Sequence, residues 1–562
     1  KNQHYALFVA IVWIFLWYQI AGTILCFTNT LSVRSASFVL LLPIALALLG
    51  SDRSPAQKQQ MPLLPFLPFL ALYLLLATPD PWYRDSLTYH LALSRQYSLR
   101  GGFFQTDEIV FSYFPQGWQS ILALFHTFGE NGYVPFNPRY LGVILSMGTA
   151  LGISGILKQY NCSSKWSITA GALFLLAPTA LEFGASCYVQ PWLVLLTLYT
   201  VYLATRDNHS GIWTGMLCGC LLSLKYSALF ILVLLSPLYL YRRKPLFFLG
   251  ALLFGTPYYL RNFLLKENPI FPLGYNLFQG SGWDHWRAMA YAITLDNYGM
   301  GKQFTDYLLL PFRVISTTDM IHHFQGSIGI GFGIAVGSLF YFRNKLSTHE
   351  KIFAYTGLGW SILWAFNVHQ IRFLMPVLPL LLIASTRVVQ DRFPTLWKAQ
   401  LILGVLWIIY PAHTLFTKQH TTKYFRSPHT YLEQQLSESY PIYQYLNAIK
   451  TPKVWLIWMR GYHYYLDSEV RVDSVFGGYR MEILLNDHQP EEIQKILAQA
   501  NIHHLVINWK FFLQGDNADR LGEGQTLILR RKFEALLHAN VLTLDRQFGN
   551  VWVYTVGDGS SS

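Results

Sequence analysis

Long apolar stretches separated by short polar loops dominate the first 412 residues of the chain. A helix that crosses a lipid bilayer needs roughly 17–25 mostly apolar residues. About thirteen such spans are predicted, over residues 5–27, 35–50, 62–78, 139–157, 166–183, 188–205, 211–225, 227–241, 246–260, 323–342, 352–368, 373–388 and 399–412. The pattern therefore predicts a mainly α-helical, polytopic membrane domain over residues 1–412.

After about residue 430 the pattern changes, because charged residues become frequent and the apolar runs shorten. Short β-rich runs, typical of strands, alternate there with amphipathic runs, typical of helices. The predicted strands are Val454–Trp458, His504–Ile507 and Val551–Val556, and the predicted helices are Pro490–Ala500 and Lys532–Ala539. Alternating strands and helices indicate a small α/β domain, which we predict over residues 430–557.

The composition agrees with a membrane protein. Hydrophobic residues make up 52% of the chain and charged residues 13%, whereas soluble domains average about 25% charged residues. The net charge of +12 would suit a nucleic-acid partner, but the basic residues lie in short clusters between apolar runs, as in membrane proteins. The five cysteines form no CxxC pair, which argues against zinc or disulfide redox chemistry.

The basic clusters predict an orientation, because Lys and Arg concentrate in the short cytoplasmic loops of membrane proteins. They fall in alternate loops: Arg53 and Lys58, Lys158 and Lys165, Arg206, Arg242 to Lys244, Arg343 with Lys345 and Lys351, and Arg387 with Arg392 and Lys398. This predicts a cytoplasmic N-terminus, with the long loops 79–138 and 261–322 and the tail domain on the extracytoplasmic side. If residues 211–241 were one tilted helix, the orientation downstream would be reversed.

The first long loop carries the main candidate for catalysis, Asp85, which opens a helical pattern directly after a predicted span. The positive end of the helix dipole would keep its carboxylate ionised, so that it could act as a general base on an incoming hydroxyl or amine. Tyr89 lies on the same predicted helix face. The alternative is that Asp85 is an ordinary helix N-cap; the two roles are compatible.

The motif Asp85-x-x-x-Tyr89-x-x-Ala92-x-x-Arg95, followed by a Gly-Gly-aromatic step and Tyr113-Phe114-Pro115, resembles the first outer loop of the GT-C superfamily. These polytopic glycosyltransferases use polyprenyl-phosphate-linked sugars, and they include bacterial protein O-mannosyltransferases and lipid A aminoarabinose transferases. Their motif carries a second acid after the first, where this chain has Ser86. A role of an acid pair, or of a divalent cation, is therefore left open.

Three further segments are similar to this family: Lys225-Tyr226, the run from Pro257 to Pro272, and the run from Gln370 to Pro376. A polyprenyl phosphate needs cations at the outer ends of the spans, and Lys225, Arg261 and Arg372 are predicted there. Each of these side chains could instead snorkel to lipid headgroups. Further cavity candidates are Tyr89, His90, Tyr226, His369 and Glu182, while the pair His322-His323 is interpreted mainly as an interfacial pair.

The resemblance implies an inverting glycosyltransferase in the bacterial inner membrane. Asp85 would be its general base, a polyprenyl-phosphate sugar its donor, and a glycan, lipid or protein its acceptor. No bound metal and no nucleic acid are predicted. Two alternatives remain at this point: a transporter or lipid flippase, which would place charges near mid-membrane and often carries inverted repeats, and a non-catalytic subunit of a membrane assembly.

Overall fold

The computed structural model describes residues 2–49, 63–206, 211–316, 326–418, 421–459, 463–473, 476, 479–514 and 516–557. Within these residues the chain is mostly helical, with one sheet near its C-terminal end. The basic residues Arg53 and Lys58 and the pair His322-His323 lie outside the described residues.

The first 418 residues contribute helices packed around one continuous apolar core. Their bounds are α1 Gln3–Phe27, α2 Val33–Leu49, α3 Leu67–Ala77, α4 Leu91–Arg100, α5 Gly117–His126, α6 Arg139–Gln159, α7 Ser164–Leu175, α8 Pro178–Gly184, α9 Gln190–Ala204, α10 Ile212–Leu222, α11 Leu229–Tyr241, α12 Leu246–Lys266, α13 Tyr275–Phe278, α14 His285–Asp296, α15 Phe304–Ser316, α16 Ile330–Phe342, α17 Thr348–Ala365, α18 Val377–Arg392 and α19 Trp397–Lys418.

The described part of each predicted apolar stretch in the first 412 residues contains a helix or a helix pair, so the lengths of the apolar runs predicted these elements correctly. The predicted number of spans is not confirmed. By length and composition, the helices of the described residues that qualify as membrane-crossing are α1, α6 and residues 397–417 of α19. Several others are shorter: α10 has 11 residues, and at 1.5 Å per residue it covers only about half of a 30 Å hydrocarbon core.

Proline and glycine account for two local features of this helical domain. Pro178 is the first residue of α8, where it lacks the amide needed to continue α7. The axes of α7 and α8 therefore meet at 68°, as a broken span or a re-entrant loop. Gly215 of α10 lets this helix lie against α12, because a Cβ atom there would approach the carbonyl oxygen of Phe247 to 2.0 Å.

The tail combines short helices with the sheet. Its helices are α20 Thr421–Arg426, α21 Tyr431–Gln435, α22 Tyr440–Ala448, α23 Arg480–Asp487, α24 Pro490–Gln499, α25 Asp516–Leu521 and α26 Glu523–His538, and its strands are β1 Lys453–Ile457, β2 Glu469–Asp473, β3 His504–Asn508, β4 Leu542–Phe548 and β5 Val551–Val556. The predicted α/β character of the tail is confirmed by these elements.

The sheet has the order β2-β1-β3-β5-β4. β1 pairs in parallel with β2 and β3, whereas β5 pairs antiparallel with β3 and β4. Its two faces bury separate apolar clusters, one around Leu456 and the other around Trp455. The sequence pattern missed β2 and β4, and the reason is visible in β4, whose residues Thr543 to Gln547 are exposed on both faces and therefore show no apolar alternation.

The tail is attached to the first long loop by two ionic contacts. Arg95 of α4 pairs with Asp467, which also accepts a hydrogen bond from Tyr133. Glu108 accepts hydrogen bonds from the Arg480 side chain through Oε1 and from the backbone N–H of Val472 through Oε2. The end of strand β2 and the start of α23 therefore rest on the segment that leads from the Asp85 helix back into the helical domain.

Candidate active site

Asp85 lies at the start of a helix that begins with a widened turn. Residues Ser86–His90 form a π-helical turn that continues directly into α4, a local form that is frequent at functional sites. Asp85 itself has helical backbone angles, and its side chain accepts no hydrogen bond from the backbone of that turn. The interpretation of Asp85 as an N-cap is therefore wrong, and its carboxylate is directed to side chains from other parts of the chain.

The partner of Asp85 is Arg372. The Arg372 Nη1 atom lies 2.7 Å from Asp85 Oδ2, and the same oxygen accepts a hydrogen bond from the Tyr89 hydroxyl at 3.1 Å. The side chains are 22% exposed for Asp85 and 12% for Arg372. Burial alone would raise the pKa of Asp85, but the charge and hydrogen bond of Arg372, together with the hydrogen bond of Tyr89, bring this pKa below its ordinary value.

Aromatic rings and one amide hold the Arg372 guanidinium in place. Its Nε atom donates to Gln370 Oε1 at 2.8 Å, and its Cζ atom lies 5.1 Å from the ring centre of Tyr188 and 5.3 Å from that of Phe373. Arg372 lies within the short helical turn Ile371–Phe373, which follows α17, and Gln370 directly precedes this turn. The guanidinium is therefore contacted by an amide oxygen and two aromatic rings in addition to the Asp85 carboxylate.

Lys225 is a second basic side chain beside this ion pair. It has extended backbone between α10 and the turn Tyr226–Ala228, and its Nζ atom lies 3.8 Å from the ring centre of Phe373, the ring that Arg372 also contacts. Within the described part of the chain no hydrogen bond or ion pair to Lys225 Nζ is formed. The predicted cations Lys225 and Arg372 are therefore brought together next to Asp85.

His90 lies in the wall of the same site and is neutral. Its ring is fully buried against Tyr89 and Tyr188, and burial lowers its pKa to about 3. Gln119 Nε2 lies 3.2 Å from His90 Nδ1. Because an amide nitrogen only donates, Nδ1 is the acceptor and the ring proton is on Nε2.

Glu182 of α8 lies near the site. It is half-buried and close enough to Tyr83 and Tyr188 to act on both electrostatically. Because Tyr188 in turn contacts Arg372, Glu182 belongs to the surroundings of the ion pair. This agrees with its prediction as a cavity residue, although the cavity role itself stays a prediction.

Arg261 and Tyr226 form a second cluster, separate from Asp85. Arg261 Nη2 donates to the carbonyl oxygens of Tyr113 and Phe114 at 2.9 and 3.2 Å, while its buried Nη1 makes no hydrogen bond to a described residue. The Tyr226 hydroxyl donates to the carbonyl oxygen of Phe271 and accepts from Asn262. The role predicted for Arg261, to bind the donor phosphate, therefore depends on its Nη1 side.

Aromatic rings link the two clusters. Tyr89 packs on Phe111 with 4.7 Å between ring centres, Phe111 on Phe114 at 5.3 Å, and Phe114 on Tyr226 at 5.2 Å. On the far side of Arg261 an apolar groove of about 650 Å³ runs along α12. Its lining residues are Phe27, Leu252, Leu253, Thr256, Pro257, Leu260, Arg261, Leu264 and Leu265.

His369 is not directed at Asp85. Its Nε2 atom lies 2.7 Å from the carbonyl oxygen of Ala365, at the end of α17, and its ring packs beside Trp364 and Tyr307. It is almost completely buried. In this position His369 stabilises the turn that precedes Gln370 and Arg372, and the structure does not bring it to the ion pair.

No group of three or more His, Cys, Asp or Glu side chains in the described ranges is arranged to hold a metal ion. Ser86, which replaces the second acid of the family motif, is buried. Participation of a divalent cation therefore stays open, as it was from the sequence.

Several residues at the site were missed by the sequence reasoning. Tyr188 lies in the short connection between α8 and α9, and Tyr291 of α14 is close enough to Asp85 and Arg372 to be influenced by both charges. Phe476 of the tail packs on Tyr291 with 5.6 Å between ring centres. No local signal marks these aromatic residues, because they reach the site only through tertiary folding.

Solved structures with a similar fold include two of ArnT. One is ArnT from Cupriavidus metallidurans bound to undecaprenyl phosphate, with a TM-score of 0.55 and 13% identity over 88% of this chain and 97% of that chain. The other is ArnT from the same organism in the apo state, with a TM-score of 0.52 and 13% identity over 87% of this chain and 97% of that chain. The chain therefore has an ArnT-like fold, which confirms the GT-C-like fold that the loop motif implied.

At the level of sequence, no protein-family model and no curated protein matches the chain. The similarity is thus one of fold.

Proposed function

We propose that this protein is a membrane glycosyltransferase of the GT-C kind, which transfers a sugar from a polyprenyl-phosphate donor to an acceptor hydroxyl or amine. The fold supports this class, because ArnT has been solved with undecaprenyl phosphate, a lipid of that chemistry. The observation that carries the proposal in this chain is the Asp85–Arg372 ion pair with Lys225 beside it, which combines one carboxylate with two basic side chains.

The two cations suit the phosphate of the donor. Arg372 presents a planar guanidinium, which binds phosphate oxygens through paired hydrogen bonds. Lys225 adds a point charge whose Nζ atom faces the Phe373 ring and has no ionic partner in the described residues. An anion bound between Lys225 and Arg372 would supply that partner and would lie next to Asp85.

Arg372 would be shared between the carboxylate and the incoming phosphate. Without donor, the charge of Arg372 lowers the pKa of Asp85 and makes it a weak base. A bound phosphate would draw part of the guanidinium away from Asp85, and burial would then raise the pKa of the carboxyl group. Donor binding would in this way prepare Asp85 to accept a proton.

In the transfer step the acceptor oxygen or nitrogen attacks the anomeric carbon of the sugar while its proton passes to Asp85. The bond from the anomeric carbon to the phosphate oxygen breaks, and its electron pair stays with that oxygen. The leaving polyprenyl phosphate gains negative charge, which Arg372 and Lys225 stabilise. A single displacement of this kind inverts the anomeric centre.

The apolar groove along α12 suits the lipid part of the donor. It exposes the side chains of Leu252, Leu260 and Leu264, and Arg261 is among its lining residues. The buried Nη1 atom of Arg261 is without a protein partner in the described residues. An apolar groove that contains a cation in its wall is complementary to a prenyl chain that carries a phosphate. We propose that Arg261 guides the phosphate at entry, while Lys225 and Arg372 hold it for transfer.

We further propose that the protein lies in a bacterial inner membrane, with its N-terminus in the cytoplasm and the Asp85 site on the extracytoplasmic side. The support for this orientation is the alternation of basic loops along the sequence. The tail domain, over residues 430–557, would then also be extracytoplasmic, because it contacts the loop that carries Asp85.

The decisive experiment replaces Asp85 by Asn in the full-length protein in lipid nanodiscs. Binding of undecaprenyl phosphate is measured by native mass spectrometry. Turnover is measured as release of undecaprenyl phosphate from a set of undecaprenyl-phosphate-linked sugars, with bacterial envelope extract as the acceptor source. We expect Asp85→Asn to bind undecaprenyl phosphate but to lose about 10²- to 10⁴-fold in turnover, the range of general acid–base catalysis.

The chain contains a matched control. Asp467 also accepts hydrogen bonds from an arginine and a tyrosine, Arg95 and Tyr133, but it does so at the contact between the tail and the first long loop. Asp467→Asn should therefore perturb packing to a similar degree without removing a proposed reacting group. Turnover of Asp85→Asn equal to that of Asp467→Asn would remove Asp85 from the mechanism.

A further inference from the structure

The helices α14 and α15 present an apolar face that no other described part of the chain covers. On α14, Trp286, Met289 and Ile293 are exposed at helical spacing. On α15, Phe304 and Phe312 are 81% and 70% exposed, with Leu308 and Leu309 between them. Monomeric soluble proteins rarely expose large apolar side chains in such number, so these two helix faces have a partner.

Residues 284–316, which comprise α14, α15 and the loop that joins them, are called the hairpin below, and the charged residues of this hairpin neutralise one another. Between Trp283 and Ser316 the acidic and basic side chains form three ion pairs within the hairpin, Asp284–Arg287, Asp296–Lys302 and Asp306–Arg313. No Asp, Glu, Lys or Arg of this segment is left without an opposite charge. A surface that recognises a protein partner usually keeps charges available for complementary contacts, whereas neutralised charges lower the cost of entering a medium of low polarity.

The position of the hairpin follows from its contact with α17. The exposed residues Tyr355, Leu358, Ile362 and Phe366 are spaced by three and four residues and form one apolar stripe along that helix. At the end of the stripe the Phe366 ring stacks on Tyr307 of α15, with 5.3 Å between ring centres. The apolar face of the hairpin therefore continues a stripe that a membrane-spanning helix would turn to lipid.

We propose that the α14–α15 hairpin, residues 284–316, lies in the interfacial layer of the bilayer and binds phospholipid through its outward apolar face. Amphipathic helices adopt this position when one face is rich in Trp, Phe and Leu. The opposite side of α14 carries Tyr291 toward the Asp85–Arg372 pair and Phe476. The hairpin thus separates the lipid surface from the candidate active site.

The depth of the hairpin can be measured with spin labels on the full-length protein in phosphatidylcholine–phosphatidylglycerol nanodiscs. Ile293→Cys and Leu308→Cys carry the label on the outward face. The control, Leu527→Cys, is equally exposed but lies on α26 of the tail. The five native cysteines are buried and unpaired, and labelling of the unchanged chain gives the background.

We expect the ratio of oxygen to nickel-chelate accessibility to be several-fold higher at positions 293 and 308 than at 527, as in a lipid environment. If positions 293 and 308 are as accessible to the nickel chelate as 527, the face is in water and the proposal is wrong. If both reagents are excluded, the face is covered by protein, either a second copy or another partner, and the proposal is also wrong. The measurement requires no turnover, so it is independent of the proposed transferase activity.

Discussion

Arg372 donates a 2.7 Å hydrogen bond to Asp85, a residue 287 positions earlier in the chain. This one contact joins the helix that begins the first long loop to the turn between α17 and α18. In the proposed mechanism it joins the carboxylate that would accept a proton to the cation that would stabilise the leaving phosphate.

Removal of the Arg372 charge should abolish most of the activity. Arg372→Met leaves Asp85 without its cation and the leaving phosphate with Lys225 alone. We expect kcat/KM to fall about 10²- to 10³-fold, the usual cost of removing one electrostatic stabiliser, and Arg372→Lys to retain part of the rate because it keeps the charge. The measurement is the release of undecaprenyl phosphate.

The control for this variant is Arg387→Met. Arg387 pairs with the buried Glu350 near the C-terminal end of α18, whereas Arg372 precedes the N-terminal end of this helix. The Arg387→Met variant should lower the stability of the protein without a specific effect on kcat/KM. Equal losses in Arg372→Met and Arg387→Met would mean that Arg372 contributes to folding and not to transfer.

The pH dependence of the reaction should report the coupling between Asp85 and Arg372. The pKa of Asp85 in the folded protein is below its ordinary value, so the stability contributed by this ion pair is present above about pH 4, the unfolded pKa, and is lost as the pH falls through the folded pKa. For kcat/KM of the free enzyme we therefore expect no acid limb from Asp85 between pH 7 and pH 5.

Arg372→Met removes the positive charge that lowers the pKa of Asp85, so that burial raises this pKa. Its pH–rate profile should then gain an acid limb at higher pH than in the unchanged protein. Profiles of kcat/KM from pH 4.5 to pH 8 test this. Identical profile shapes for the two proteins would contradict the coupling.

Glu108 should act as a positioning residue. It binds Arg480 and the backbone of Val472 in the tail, and its segment leads to Phe111, which packs on Tyr89 next to Asp85. We expect Glu108→Gln to lower kcat by roughly tenfold, since small displacements of a catalytic group are costly, and to leave the binding of undecaprenyl phosphate unchanged. Rescue by Glu108→Asp should be partial.

The control variant for Glu108→Gln is Glu482→Gln, which breaks the Glu482–Arg520 ion pair inside the tail. That variant tests whether any damage to the tail lowers the rate. If Glu482→Gln and Glu108→Gln reduce kcat equally, the contact of Glu108 with Arg480 has no specific role in positioning the site.

The sequence predicted the fold class and several of the residues that the structure brings together. Apolar runs of helical length predicted the long apolar helices of the first 412 residues but not α14 and α15. The loop motif singled out Asp85 and Tyr89, and a separate segment singled out Arg372, which the structure places beside them. The N-cap interpretation of Asp85 was wrong, because local spacing cannot reveal that a partner 287 residues away takes the carboxylate. Tyr188 and Tyr291 were missed for the same reason, since both approach the site through tertiary contacts.

The number of membrane spans was the weakest prediction. Hydropathy alone does not distinguish a crossing helix from a short buried one, and α9, α10 and α11 have 15, 11 and 13 residues. The break at Pro178 also makes the number of spans hard to predict, because a single apolar run becomes two helices that meet at 68°. The length of each helix in the fold, and not its composition, decides whether it can cross a bilayer.

The stability of the tail should depend on pH through Asp473, which is fully buried at the end of β2. Its carboxylate accepts hydrogen bonds from the backbone N–H groups of Arg480 and Met481. Burial nevertheless raises its pKa to about 6. The folded tail therefore binds the Asp473 proton more tightly than the unfolded tail does, whose Asp pKa is about 3.9.

The sign of the pH dependence of stability follows from this difference between the folded and unfolded pKa of Asp473. The contribution of Asp473 to stability is complete below about pH 4 and is lost as the pH rises to about 6, and it amounts to about 3 kcal/mol. Asp473→Asn does not titrate, so the unchanged protein should lose stability relative to this variant between pH 4 and pH 6. The measurement is hydrogen exchange of β1 and β3 in the full-length protein at both pH values. A difference between the two proteins that does not change with pH would show that Asp473 remains ionised throughout and that its two backbone hydrogen bonds outweigh its burial.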